Sequence, residues 1–134
     1  MKMSTRGRYA LVIMIALAKN YSSGEYLSLK EIADKENISL KYLEKIMMLL
    51  NKAKLLDVSR GNNGGYRLNK EPKDYKIGDI LRVTEGNLAP IKCLGNHSEC
   101  SKRNKCETYP FWNGLYNEIN EYVDSKTLED FIGD

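Results

Sequence analysis

The sequence predicts a mainly α-helical fold with a small β-wing: a winged helix-turn-helix followed by a long dimerisation helix. Three observations predict it. Two short amphipathic segments, "SLKEIADKEN" and "LKYLEKIMMLLNKAKL", are joined only by "NIS". Two strand-like runs, "LLDVSR" and "YRLN", flank a turn rich in Asn and Gly. Near the C terminus, "PFWNGLYNEINEYVDS" carries apolar residues at helical spacing. The 134 residues allow one domain, or one domain with an extension, and a modest core.

The first helix is "STRGRYALVIMIALAKNY", with Ser4 as its expected N-cap. Its middle is apolar all round, so more than one face should be buried, and a dimer interface is the expected second cover. In the second helix, Ser28 and Glu31 form a capping-box pattern, with Leu29, Ile32 and Ala33 inward. Ser39 caps the third, whose inner stripe is Leu40, Leu43, Ile46, Met47 and Leu50. Asn62, Asn63, Gly64 and Gly65 form the hairpin turn, being residues that tolerate positive φ. "KIGDILRVTEG" is a fourth helix with Ile77, Ile80 and Leu81 inward and Gly86 as its stop. Pro110 belongs in the first turn of the long helix, where Trp112, Leu115, Ile119 and Tyr122 suggest a seam against a partner helix. "TLEDFIGD" adds a last short turn.

Charge is unevenly spread. Residues 1–70 carry 13 Lys/Arg against 6 Asp/Glu, a net of +7, whereas residues 71–134 carry 8 against 12, a net of −4. A basic half on a small chain points to a polyanionic partner. The longest apolar run, Ala10 to Ala18, is nine residues, well short of the roughly 20 that a membrane span needs. No secretory pattern follows the start. A cytoplasmic, membrane-free protein is expected.

The order helix–turn–helix–wing places the third helix as the reader of a major groove, where base edges differ. Ser39, Lys41, Glu44 and Lys45 lie on its first turns. Arg60 with Gly64 and Gly65 makes the wing, where an Arg can enter the minor groove. Arg6 and Arg8 are placed to hold the backbone beside the first helix. Each has a plainer reading as a solvated charge or a hairpin closure. No nucleophile–base set, phosphate loop or carboxylate pair suggests an enzyme.

"STRGRYAL", "ISLKYLEKI", "SRGNNGGYRL" and "IGDILRVTEG" together resemble the bacterial winged-helix regulators that include IscR, NsrR and CymR, over nearly the whole chain. The resemblance implies a homodimeric transcription factor bound to a double-stranded DNA operator. All three cysteines stand in "CLGNHSECSKRNKC", spaced C-x6-C-x5-C. Family members with three cysteines here bind an iron-sulfur cluster, which by likeness makes Cys93, Cys100 and Cys106 the ligands of a 2Fe-2S or 4Fe-4S group. The first gap is one residue longer than is usual in those members. Where they place a histidine after the third cysteine this chain has Tyr109, and where others use an N-terminal aspartate of the partner subunit it has Arg8. His97, Tyr109, Glu99, Glu107 and a small molecule stand as fourth-ligand candidates. "EGNLAPI" and "KTLEDF" are similar instead to the cysteine-free CymR branch, which implies the alternative of a cofactor-free regulator of sulfur metabolism acting through a partner enzyme.

Thiolates suit iron-sulfur clusters, zinc or copper(I). Lys92, Lys102, Arg103 and Lys105 would ease their deprotonation. Zinc usually takes closer cysteine pairs, and an odd number of cysteines argues against a disulfide framework. Three free thiols are the bland alternative. A small electron carrier would use a cluster but leave the basic helix unexplained; the other rival is a protein-interaction module that regulates a sulfur-metabolism enzyme without a cofactor. The expected organisation is a DNA-binding domain over 1–86, a cysteine-containing sensor loop over 87–109, and the dimerisation helix and C-terminal segment over 110–134.

Overall fold

A computed structural model describes residues 2–62, 64–95 and 106–133 of the chain. Among the described residues six α-helices run in order: α1 Thr5–Lys19, α2 Leu29–Glu36, α3 Leu40–Lys52, α4 Ile77–Glu85, the single turn α5 Lys92–Gly95, and α6 Tyr109–Ser125. Strands β1 (Leu56–Ser59) and β2 (Gly65–Leu68) pair antiparallel between α3 and α4, with Leu56 opposite Leu68 and Ser59 opposite Gly65. A mainly helical fold with a small two-stranded wing is thus borne out.

The caps are those expected. Ser4 Oγ accepts from the Gly7 N–H, Ser28 and Glu31 close a reciprocal capping box, and Ser39 Oγ accepts from the Tyr42 N–H. Asn37 ends α2 in the left-handed region at φ 54°, which turns the chain within two residues into the Ser39 cap. α3 therefore begins at a defined angle to α2.

α1 is the central helix. Ala10, Ile13, Met14 and Leu17 are sealed from solvent, and α1 touches α2, α3, α4, β2 and the C-terminal turn. The chain itself thus supplies the second cover that was expected from a dimer. Leu128, fully buried in the short 3-10 turn Leu128–Phe131, closes this core from the C-terminal side. Its N–H donates to the Tyr75 carbonyl, and the Ile77 N–H donates to Lys126 O.

The wing is wider than its two strands. Leu27 bridges Tyr66 through two backbone hydrogen bonds of 2.9 and 2.7 Å, adding a one-residue bridge on the other edge of β2. A Cβ on Gly65 would collide with the Leu27 carbonyl, and one on Gly64 with the Ser59 carbonyl. Both glycines are therefore required by close backbone approach. The positive φ of the turn, 106°, falls on Gly61 and not on either of them. Asn63 lies outside the described residues.

α6 departs from the expected seam. Ile119 packs on the chain's own core with Tyr116 and Val123, while Phe111 and Tyr122 are each 65% exposed. At 100° per residue, Trp112, Leu115, Ile119 and Tyr122 mark the border between an inward and an outward face. The outward apolar face is Phe111, Leu115 and Tyr122.

Candidate nucleic-acid interface and cysteine segment

α3 separates two chemistries around its axis. Leu43, Ile46, Met47 and Leu50 are completely buried, and Lys41, Glu44 and Lys45 are exposed on the opposite side. Leu40, expected in the inner stripe, is instead 46% exposed. It is the first residue of the helix, before α2 and α1 close over it. Met48 is also on the exposed side, at 72%. It sits four residues after Glu44 and seven after Lys41, a phase that could have marked it as outward from sequence.

Arg8 is exposed on α1. Arg6 is exposed too, and one of its guanidinium nitrogens donates to the Thr84 carbonyl at 2.9 Å. The same end of α4 holds Glu85, whose two carboxylate oxygens accept from the Ser4 N–H at 2.6 Å and the Ser4 hydroxyl at 2.8 Å. The first turn of α1 is thus clamped to the last turn of α4. A carboxylate at a helix N-terminus is favourable because it faces the positive end of the helix dipole.

Arg60 stands exposed after β1. Arg67, also in the wing, does other work: it donates to Gly24 O at 2.6 Å, stacks 4.4 Å from the Tyr26 ring and pairs with Asp57 at 3.6 Å. The two wing arginines are distinguishable only in three dimensions. Lys41, Lys45, Arg60, Arg6 and Arg8 are exposed basic groups around the wing and α3, with Lys52 exposed at the end of α3.

The cysteine segment follows α4 after Gly86, whose φ of 81° ends that helix. Cys93 is half-buried in α5, next to the buried Leu94, and α5 lies against α6. Cys106 sits just before α6. The Thr108 hydroxyl, 3.5 Å from its sulfur, and the backbone N–H groups of Thr108 and Tyr109 hold the Cys106 thiol below its usual range, with Glu107 opposing. Hydrogen bonds to the charged form favour thiolate, the form that ligates metal. Cys100 and His97 lie outside the described residues, and among the described residues no three Cys, His, Asp or Glu side chains converge. The two described thiols are compatible with thiolate ligation in their chemistry.

Two features joining α4 to α6 were not visible in sequence. Arg82 donates to both carboxylate oxygens of Asp124, at 2.8 and 2.9 Å, and to Asn120 Oδ1 at 2.9 Å. Gly78 lets α6 approach: a Cβ there would strike the Asp124 carboxylate. The hydrogen bonds from Arg82 hold the Asp124 carboxyl below the usual carboxylate range and raise the guanidinium.

The family model of Rrf2, the iron-dependent transcriptional regulators, matches residues 3–134. The chain belongs to the Rrf2 family. Among Rrf2 relatives, the HTH-type transcriptional regulator CymR of Bacillus subtilis is 43% identical over 130 residues, covering 97% of this chain and 88% of its own. IscR of Vibrio atlanticus is 32% identical over 134 residues, covering 100% and 76%. Two solved Rrf2 structures share the fold. CymR, the global cysteine regulator of B. subtilis, superimposes with a TM-score of 0.81 at 41% identity over 98% of this chain and 96% of that one. IscR of T. potens gives 0.75 at 36% identity over 98% and 86%. The resemblance read from the motifs is borne out. The chain is a DNA-binding transcriptional regulator of the Rrf2 type, and its named relatives are regulators, not enzymes. No helix among the described residues is long and apolar enough to cross a membrane.

Proposed function

We propose that this Rrf2 regulator reads a double-stranded operator as a cytoplasmic homodimer, with α3 in the major groove and Arg60 of the wing at the backbone or minor groove. Residues 87–109 hold an iron-sulfur cluster on Cys93, Cys100 and Cys106. The observation that carries the reading is the polarity of α3. Its whole polar side, with Lys41, Glu44 and Lys45, is exposed while the opposite side is sealed in the core. Ser39 fixes the start of that helix, and Arg6 and Arg8 flank it as phosphate contacts. Residues 1–86, 87–109 and 110–134 are the DNA-binding, sensing and dimerising parts.

The donor set supports the cluster: three thiols spaced C-x6-C-x5-C, one of them favoured as thiolate beside Thr108. A bound cluster supplies a group responsive to oxidants, to nitric oxide and to iron supply. The chain's own contribution is mechanical. The cysteine segment is rooted at Glu85, which grips Ser4, and it leads into α6, which Asp124 ties to Arg82. A change in that segment therefore bears on both the first turn of α1 and the outward face of α6.

A second reading is a cofactor-free regulator of cysteine metabolism with a partner enzyme, favoured by the 43% identity to CymR. Iron, sulfide and the visible spectrum of anaerobically reconstituted protein separate the two. The expected result is a cluster in wild type and none when all three cysteines are serine. Wild type that takes up no iron leaves the cofactor-free reading. For the DNA interface, Arg60→Ala should weaken binding to a selected operator by about 1–3 kcal/mol, and affinity should fall steeply with salt. Unchanged binding by that variant would remove Arg60 from the interface.

A further inference from the structure

Past Leu40 at its first position, the exposed face of α3 carries a further apolar residue that a solvated or phosphate-binding surface does not need. Met48 is 72% exposed, more than Phe111 or Tyr122 at 65%. It is centred on the polar side: with 100° per residue it lies about 40° from Glu44 and about 20° from Lys41. It stands nearly opposite the buried Leu43, Ile46 and Leu50. A groove beside it is lined by Tyr42, Lys45, Met48 and Leu49 of α3 and by Thr5 and Arg6 of α1. An unbranched, polarizable thioether is thus presented between cations, on the face assigned above to a polyanion.

In the major groove, the apolar group on a base edge is the 5-methyl of thymine. We propose that Met48 is a specificity-determining residue of this regulator, packing its thioether on a thymine methyl in each half-site. Lys45 and Arg6 hold the flanking phosphates. The inference rests on the DNA-reading function and adds a base preference to it. Continuity with Lys41 and Glu44 and the two cations lining the groove, Arg6 and Lys45, are what select DNA as the occupant of this face. Lys41 and Glu44, nearer the helix start, deal with hydrogen-bonding edges, while Met48, roughly 10 Å further along the axis from Lys41, reads shape and apolar area.

The test begins with a duplex selected by the full-length wild-type protein from a random-sequence library. Each thymine of that duplex is then replaced singly by deoxyuridine, which removes only the methyl. Binding is followed by fluorescence anisotropy at constant salt. One thymine per half-site should lose about fourfold in affinity for wild type, the value of one buried methyl. Met48→Ala should bind the all-thymine duplex more weakly and be indifferent to that methyl. Lys45→Ala should bind all the duplexes more weakly yet keep the methyl dependence. Thermal unfolding of each variant checks that the fold is retained, as expected for exposed positions. Equal methyl dependence in wild type and Met48→Ala, or a selected duplex in which no thymine methyl matters, overturns the inference and leaves DNA reading intact. A library from which wild type selects nothing overturns both.

Discussion

Tyr75 shows how much of this fold hangs on single polar atoms. Its ring is 2% exposed, and its hydroxyl lies 2.7 Å from Leu55 O and 2.9 Å from Asn69 Oδ1 while accepting from the Asn69 N–H. Burial pushes the phenol up, so it stays protonated and can donate at any physiological pH. The hydroxyl joins the start of β1 to the end of β2, and thereby sets the wing that carries Arg60. Tyr75→Phe should cost about 1–3 kcal/mol in urea unfolding, because it strands the Leu55 carbonyl in a part-buried setting. A variant as stable as wild type would show that water replaces the hydroxyl. Gly65→Ala is expected to cost a similar amount, roughly 1–3 kcal/mol, since the added methyl must displace the Leu27 backbone and break its bridge to Tyr66. Its signature should be loss of the amide protection of Leu27 and Tyr66 in hydrogen exchange.

Among the elements, α6 is held by its junction with α4. The Arg82–Asp124 pair is bidentate, and both side chains are about a third exposed, so solvent discounts its Coulombic value. Its pH dependence has a definite sign. The folded carboxyl lies below its unfolded value of about 3.9, so the pair stabilises fully above that value and the stabilisation is lost as pH falls through the folded pKa. Asp124→Asn should therefore lower the urea midpoint near neutral pH, and its difference from wild type should shrink as pH is taken down to about 3. A difference that is constant across that range would assign the effect to packing at Gly78 and Val123, where α6 already approaches α4 closely.

On the scale of the whole molecule, the outward face of α6 has no cover among the described residues. Phe111 and Tyr122 are eleven residues apart, three turns, and point the same way with Leu115 between them. Replacing Phe111 and Tyr122 together by Lys should shift the proposed dimer towards monomer in sedimentation velocity while leaving thermal stability nearly unchanged. Replacing Ile119, by contrast, should destabilise the fold itself, because that side chain belongs to the core. Wild type that sediments as a monomer at micromolar concentration would exclude the homodimer.

Local chemistry was legible without coordinates. Ser4, Ser28, Ser39 and Gly86 mark helix ends because capping is settled by residues three or four apart, and the stripe Leu43, Ile46, Met47 and Leu50 marks a core face because helical periodicity is fixed. The order of elements, and with it the winged fold and the likeness to the Rrf2 regulators, followed from those local signals. The tertiary structure alone decided which of two wing arginines is anchored, why Gly65 tolerates no side chain, and which face of α6 turns outward. It alone joined Ser4 to Glu85 and Arg82 to Asp124, pairs separated by 81 and 42 residues. The physical reason is common to all of these. Their partners are brought together only when α1, α4 and α6 pack, and no pattern along the chain encodes a contact whose two halves obey different periodicities.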